Sequence, residues 1–184
     1  INTNMATPTN KSYLQPTSFK LLIPRLPTVE YFCTAVTVPD ISFSEAIFAT
    51  NIGVNAYYPG DKISFMDLNI TYLVDEDLKN YKEVYDWMRA ITPANDPETF
   101  KALTGTTSSS TNAYTGTGSD LEQYEDITLV INTNKNNPNK FMRFYDAFPI
   151  ALGGFQMSSE STDVATLTSN ISFRFTYFNI SDNS

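Results

Sequence analysis

Asp75, Glu76 and Asp77 form the densest acidic cluster of the chain, and paired carboxylates are the constellation here most able to do chemistry. Glycosidases use such pairs, one carboxyl protonating the leaving oxygen while the other attacks or activates water. The tripeptide, however, stands directly before a helical pattern, where acids have a plainer use: they bond free N–H groups and oppose the helix dipole. Asp75 and Asp77 are therefore assigned to the helix N-terminal cap. The tripeptide also lacks the spacing and the glycine of an EF-hand loop.

Nothing else in the chain supplies a reactive set. There is no histidine, which removes the commonest general base, the base of serine triads and the commonest zinc ligand. Cys33 is the single cysteine, so it has no internal disulfide partner, and its place in a strand-like run fits a small buried apolar group. No GxSxG elbow and no phosphate-cradling glycine loop occurs. We expect no catalytic residue, no metal site and no cofactor. Tyr57, Tyr58 and Tyr114 have faces that could stack on sugars, although aromatics in strands usually fill a core.

The elements around these residues are legible from periodicity. In ISFMDLNITYLV, residues 63–74, Met66, Leu68, Ile70, Tyr72 and Val74 fall on one face, and Asp67, Asn69 and Thr71 on the other, as in a half-buried strand. Within three residues the period changes to that of a helix. Leu78, Tyr81, Val84, Tyr85, Met88 and Ile91 recur at spacings of three and four, and Pro93 stops the run.

Upstream, residues 1–17 are polar and form a flexible arm, with too few apolar groups to offset the entropy of ordering. Residues 18–23 and 30–38 are expected as two strands making a hairpin, each closed by proline. Between 41 and 59 lies a long, sticky excursion carrying Ile47, Phe48, Tyr57 and Tyr58, with turn chemistry at Gly53 and at Pro59-Gly60. Residues 92–125 read as a surface insertion, because their low-complexity centre, 104–119, is Ser/Thr/Gly with almost no apolar anchor. Strands follow at 126–132 and 140–148, the second ended by Pro149. A last strand, 169–180, sets Ile171, Phe173, Phe175 and Tyr177 against Ser172, Arg174 and Thr176. Six or seven strands and one helix predict a single domain over 1–184, a mainly β antiparallel sandwich or barrel flanked by an α-helix.

Composition narrows the function. Charged residues are 17% of the chain, so much of the surface is neutral and able to pack against other polypeptide. A formal charge of −8 disfavours a nucleic-acid binder, which needs clustered Lys and Arg. No stretch approaches the roughly 18 consecutive apolar residues of a membrane span, and the chain reads as soluble without a membrane anchor.

Taken in order, these pieces resemble the tail tube protein family of contractile bacteriophages, whose fold is shared with contractile injection systems. The resemblance is carried by FCTAVTVPDISFSEA, by PGDKISFMDLNITYLVDEDLKNYKEVYDWM and by KFMRFYDAFPIALGGFQM, over most of residues 18–178. It implies a homohexameric ring made by joining sheets edge to edge, with rings stacked into a tube through which phage DNA is ejected. It implies a structural virion protein of the phage tail, not an enzyme, assembled in the host cytoplasm. Its partners would be its own copies, with sheath and baseplate proteins, and the genome would pass through the lumen without specific binding. Ile47, Phe48, Tyr57 and Tyr58 match the family's stacking loop and are expected to touch a neighbouring subunit or ring. The same fold would also serve a baseplate initiator, a neck terminator or an injection-system tube. A carbohydrate-binding β-sandwich is the more remote alternative.

Overall fold

The computed structural model describes residues 11–49, 53–92, 123–158 and 166–182. Along them run β1 (Phe19–Leu22), α1 (Pro27–Phe32), β2 (Cys33–Thr37), β3 (Ile41–Phe48), β4 (Ala56–Phe65), β5 (Leu68–Leu73), α2 (Lys79–Ile91), β6 (Glu125–Asn132), β7 (Pro138–Leu152), β8 (Thr168–Arg174) and β9 (Tyr177–Asp182). Every strand pairing among the described residues is antiparallel.

Strand β7 organises the molecule. Its first part, from Lys140 to Tyr145, pairs with β9 and, on its other side, with β6, which pairs in turn with β1. Its last part, from Phe148 to Leu152, pairs with β8, which leads to β5 and β2. The strand thus bends from one four-stranded layer into another. The bend falls at Asp146, a non-glycine residue with φ of 55°, whose N–H donates to Asp126 Oδ1 at 3.3 Å. Pro149, expected to end the strand, lies inside it at a register shift, where a missing N–H is tolerated. The C-terminal strand breaks beside the same corner, into β8 and β9, and Thr176 donates its N–H to the Tyr145 carbonyl at 3.0 Å.

Between the layers lies the core. Leu68, Ile70 and Tyr72 of β5 face it, as their alternation predicts, together with Ile127, Phe144 and Phe173. Helix α2 lies against β7 and α1, and Trp87 meets Phe173 at a centroid distance of 5.9 Å. Burying each of these large side chains stabilises the fold by about 1.5–3 kcal/mol relative to exposure.

Several expectations are corrected. Residues 18–23 and 30–38 do not form a hairpin with each other: β1 pairs with β6, and β2 with β5. Residues 30–32 are helical because Pro27 starts a helix at the position where no N–H is needed, Val29 is buried, and Glu30 accepts a bond from the Ile23 N–H at 3.2 Å. The run 63–74 is two strands interrupted at Met66 and Asp67, and Met66 is exposed. The buried stripe of α2 is Asn80, Val84, Trp87 and Ala90, so Tyr85 faces outward. Of the arm, residues 11–17 are exposed and irregular, and 1–10 lie outside the described residues. Most of the 92–125 insertion, including Pro93, its low-complexity centre and Tyr114, lies outside them too, while Glu125 already belongs to β6.

Candidate assembly surface

The excursion expected between 41 and 59 is an ordered ribbon. β3 and β4 pair antiparallel from Ile41↔Phe65 to Phe48↔Ala56, and the two strands form a sheet of their own. Gly53, with φ of 76°, sits in the connection at the far end. Pro59-Gly60 is not a turn. The register shifts between Phe43 and Glu45, so that Ser44 faces an expanded stretch of β4, and the Lys62 N–H donates to Ser44 Oγ at 3.1 Å. Glycine is required there by close approach, since a Cβ at position 60 would stand 2.7 Å from the Ser44 carbonyl oxygen.

The bulge divides the ribbon into two halves of different character. Paired residues share a face, so in the half nearer the body Ile41, Phe43, Ile63 and Phe65 line one side, and Ser42 and Ser64 the other. Beyond the bulge both sides carry apolar residues, although Glu45, opposite Pro59, shares the face of Ile47. Ile47 lies opposite Tyr57 on one face, while Phe48 and Tyr58 share the reverse face with Ala46 and Ala56. All four expected contact residues are exposed, Ile47 by 59%, Phe48 by 66%, Tyr57 by 62% and Tyr58 by 59%. None of the four is buried in the core of the isolated chain. Ile41, Phe43 and Ile63 are exposed as well. These exposed apolar residues are neighbours on one ribbon and are not scattered singly over the surface. Ile63 was assigned to a half-buried strand by sequence. The signal that separates it is a change of phase: apolar residues are odd-numbered at 63 and 65 and even-numbered from 66 to 74.

Tyr57 and Tyr58 project from opposite faces and so make no common stacking platform for a sugar ring. The expected helix cap is also different. The Leu78 N–H closes a turn on the Asp75 carbonyl at 2.9 Å, and Leu78 itself, left-handed at φ 55°, occupies the N-cap position with no side-chain cap bond. Asp75 and Asp77 lie in that turn, ahead of the N-cap residue, and neither carboxylate caps the helix. The buried Asn80 does the joining instead. Its Oδ1 accepts from the N–H groups of Asp75 at 3.2 Å and Tyr81 at 2.8 Å, and its Nδ2 donates to the Leu73 carbonyl at 2.8 Å.

Two further surfaces bear on assembly. β1 and β9 are the outermost strands of their layer, and three antiparallel steps, through β6 and β7, make them run in opposite directions. Cys33, at the β2 edge, is half-buried, and burial pushes its thiol pKa up to about 11. It is therefore a thiol and not a nucleophilic thiolate near neutral pH.

Comparison with known proteins bears on this arrangement. Residues 4–181 match the family model described as phage tail tube protein. No curated protein matches the chain. Among solved structures, the chain is similar to one in the tube-terminating cap of the anti-feeding prophage, with a TM-score of 0.60, 15% identity and coverage of 99% of each chain. It is also similar to a chain in the extended sheath-tube complex of the PVC extracellular contractile injection system, with a TM-score of 0.56, 15% identity and coverage of 94% and 93%. A chain in the extended sheath/tube terminator of that system gives a TM-score of 0.55 at 18% identity, with coverage of 94% and 99%. At such identities the likeness is one of fold.

Proposed function

The chain belongs to the phage tail tube protein family, and from that premise we propose that it is a structural subunit that closes into homohexameric rings and stacks them into a tail tube for DNA ejection. Family membership over residues 4–181 carries the reading. The ribbon gives it physical means. With apolar side chains on both faces beyond its bulge, it can be covered on both sides by neighbouring copies, and each covered Å² of apolar surface contributes about 25 cal/mol. The free edges β1 and β9 suit ring closure, because a rotation about an axis along the strands brings β9 of one copy antiparallel to β1 of the next. Such a ring joins the layers edge to edge into one continuous barrel.

The formal charge of −8 accords with a lumen that repels phosphate and lets the genome slide. Sheath and baseplate proteins would be the outer and terminal partners, in a virion tail assembled in the host cytoplasm. The role needs no catalysis. Electron microscopy of the purified protein at high concentration tests it: stacked rings or hollow tubes are expected, and persistent monomers under all assembly conditions would overturn it. Copy number in purified particles then separates a main tube subunit, which must be abundant, from an initiator or terminator limited to a ring or two.

A further inference from the structure

The ribbon leaves the body through two short legs, and the contacts at those legs decide which way it points. One leg is Val38, Pro39 and Asp40, with Pro39 buried; the other is Met66 and Asp67, where the strand is interrupted. The Met66 N–H donates to the Asp40 carbonyl at 3.0 Å, which ties the legs to each other but does not set their angle to the body. Contacts at the second leg reach the body, among them that of Asn69 in β5, whose Nδ2 donates to the Asp67 carbonyl at 3.4 Å. The Phe65 ring enters an aromatic cluster, 5.6 Å from the Phe175 centroid and 5.4 Å from that of Phe178. Arg174, the last residue of β8, reaches both sides of Met66 through one nitrogen: Nη1 donates to the carbonyl of Phe65, the last residue of β4, at 3.3 Å and lies 3.0 Å from Asp67 Oδ1. That oxygen is shielded from solvent and makes no hydrogen bond of its own, so the adjacent guanidinium is what meets its charge. Phe175, the next residue after Arg174, is buried in the core and anchors the backbone from which the Arg174 side chain extends.

We propose that Arg174 is the positioning residue of the ribbon, a clamp that holds the hinge at Met66 and Asp67 so that the ribbon is presented in one direction. One nitrogen, Nη1, meets the Phe65 carbonyl and the Asp67 carboxylate on either side of Met66, and contacts that straddle a hinge restrict it more than a contact on one side does. A ribbon held in advance loses less freedom when a neighbour covers it. The role of the clamp in assembly rests on the reading of the ribbon as an assembly surface.

The test measures direction separately from assembly. Spin labels at Ala46→Cys on the ribbon and Lys135→Cys on the body, in a Cys33→Ser, Phe48→Asp background that keeps the protein monomeric, report the distance distribution between the two. A narrow distribution is expected with Arg174 present, broadened about twofold or more in Arg174→Ala, partly in Arg174→Lys, and narrowed again by the exchanged pair Asp67→Arg with Arg174→Asp. An unchanged width in Arg174→Ala or, if that variant does not fold, in Arg174→Lys, overturns the clamp, as does a loss of melting temperature without broadening. Ring formation is scored apart, without the Phe48→Asp change. Broadening while the parent protein forms no rings would uphold the clamp and defeat the assembly reading; rings with no broadening would do the reverse.

Discussion

At the scale of single residues, the structure moves an expected role from the acids to an amide. Asp75 and Asp77 obey a sound rule for helix starts, but they lie in the turn from Asp75 to Leu78, the left-handed Leu78 takes the N-cap position, and the joint is made by Asn80. Asn80→Ala should leave part-buried backbone groups at Leu73, Asp75 and Tyr81 without that partner and cost about 2–3 kcal/mol in denaturant unfolding. Asp77→Ala should change stability by less than about 0.5 kcal/mol. The reverse order would restore the cap. Cys33 gives a pH dependence whose sign is fixed. Its folded-state pKa is raised from 9.0 to about 11, so the folded protein holds the proton more tightly than the unfolded chain. The associated stability is full below pH 9.0 and is lost as pH rises from there toward about 11. Unfolding free energies over that range should fall less steeply in Cys33→Ala than in the parent chain.

At the scale of elements, the four ribbon residues divide into two pairs. Phe48→Asp and Tyr57→Asp place one charge on each face of the same ribbon, at exposed positions where substitution should shift the melting temperature by no more than about 2 °C. Each should block assembly while leaving a folded monomer. If the two faces meet different neighbours, the variants should arrest at different stages, which sedimentation would separate as monomers and single rings. An unfolded protein in either case would instead place that side chain in the subunit's own core. Much of the element structure was legible, and three of the unread breaks share a cause. The apolar phase changes between Phe65 and Met66, between Phe144 and Ala147, and between Phe175 and Phe178, and each change marks a break or bend. Alternation read along a whole run hides such a change, because a strand that bends exposes a new face to the same core.

At the scale of the whole molecule, the acidic chain should not hold DNA: no retardation of double-stranded DNA is expected at roughly 50 mM salt, where phosphate contacts would be strong. A salt-sensitive shift would point to a binding groove and away from an inert conduit. The sequence by itself determined the mainly β architecture, the buried alternation of Leu68, Ile70 and Tyr72, the absence of a histidine-based site and the sticky character of residues 41 to 59. These follow from local periodicity and residue chemistry, which need no knowledge of partners in space. Only the tertiary structure decided that β1 pairs with β6, that the excursion is a ribbon with apolar residues on both faces beyond its bulge, and that Arg174 reaches Asp67 across 107 positions of sequence, from 67 to 174. Those outcomes depend on long-range pairing and on the corner at Asp146, where strands close in space are distant in the chain.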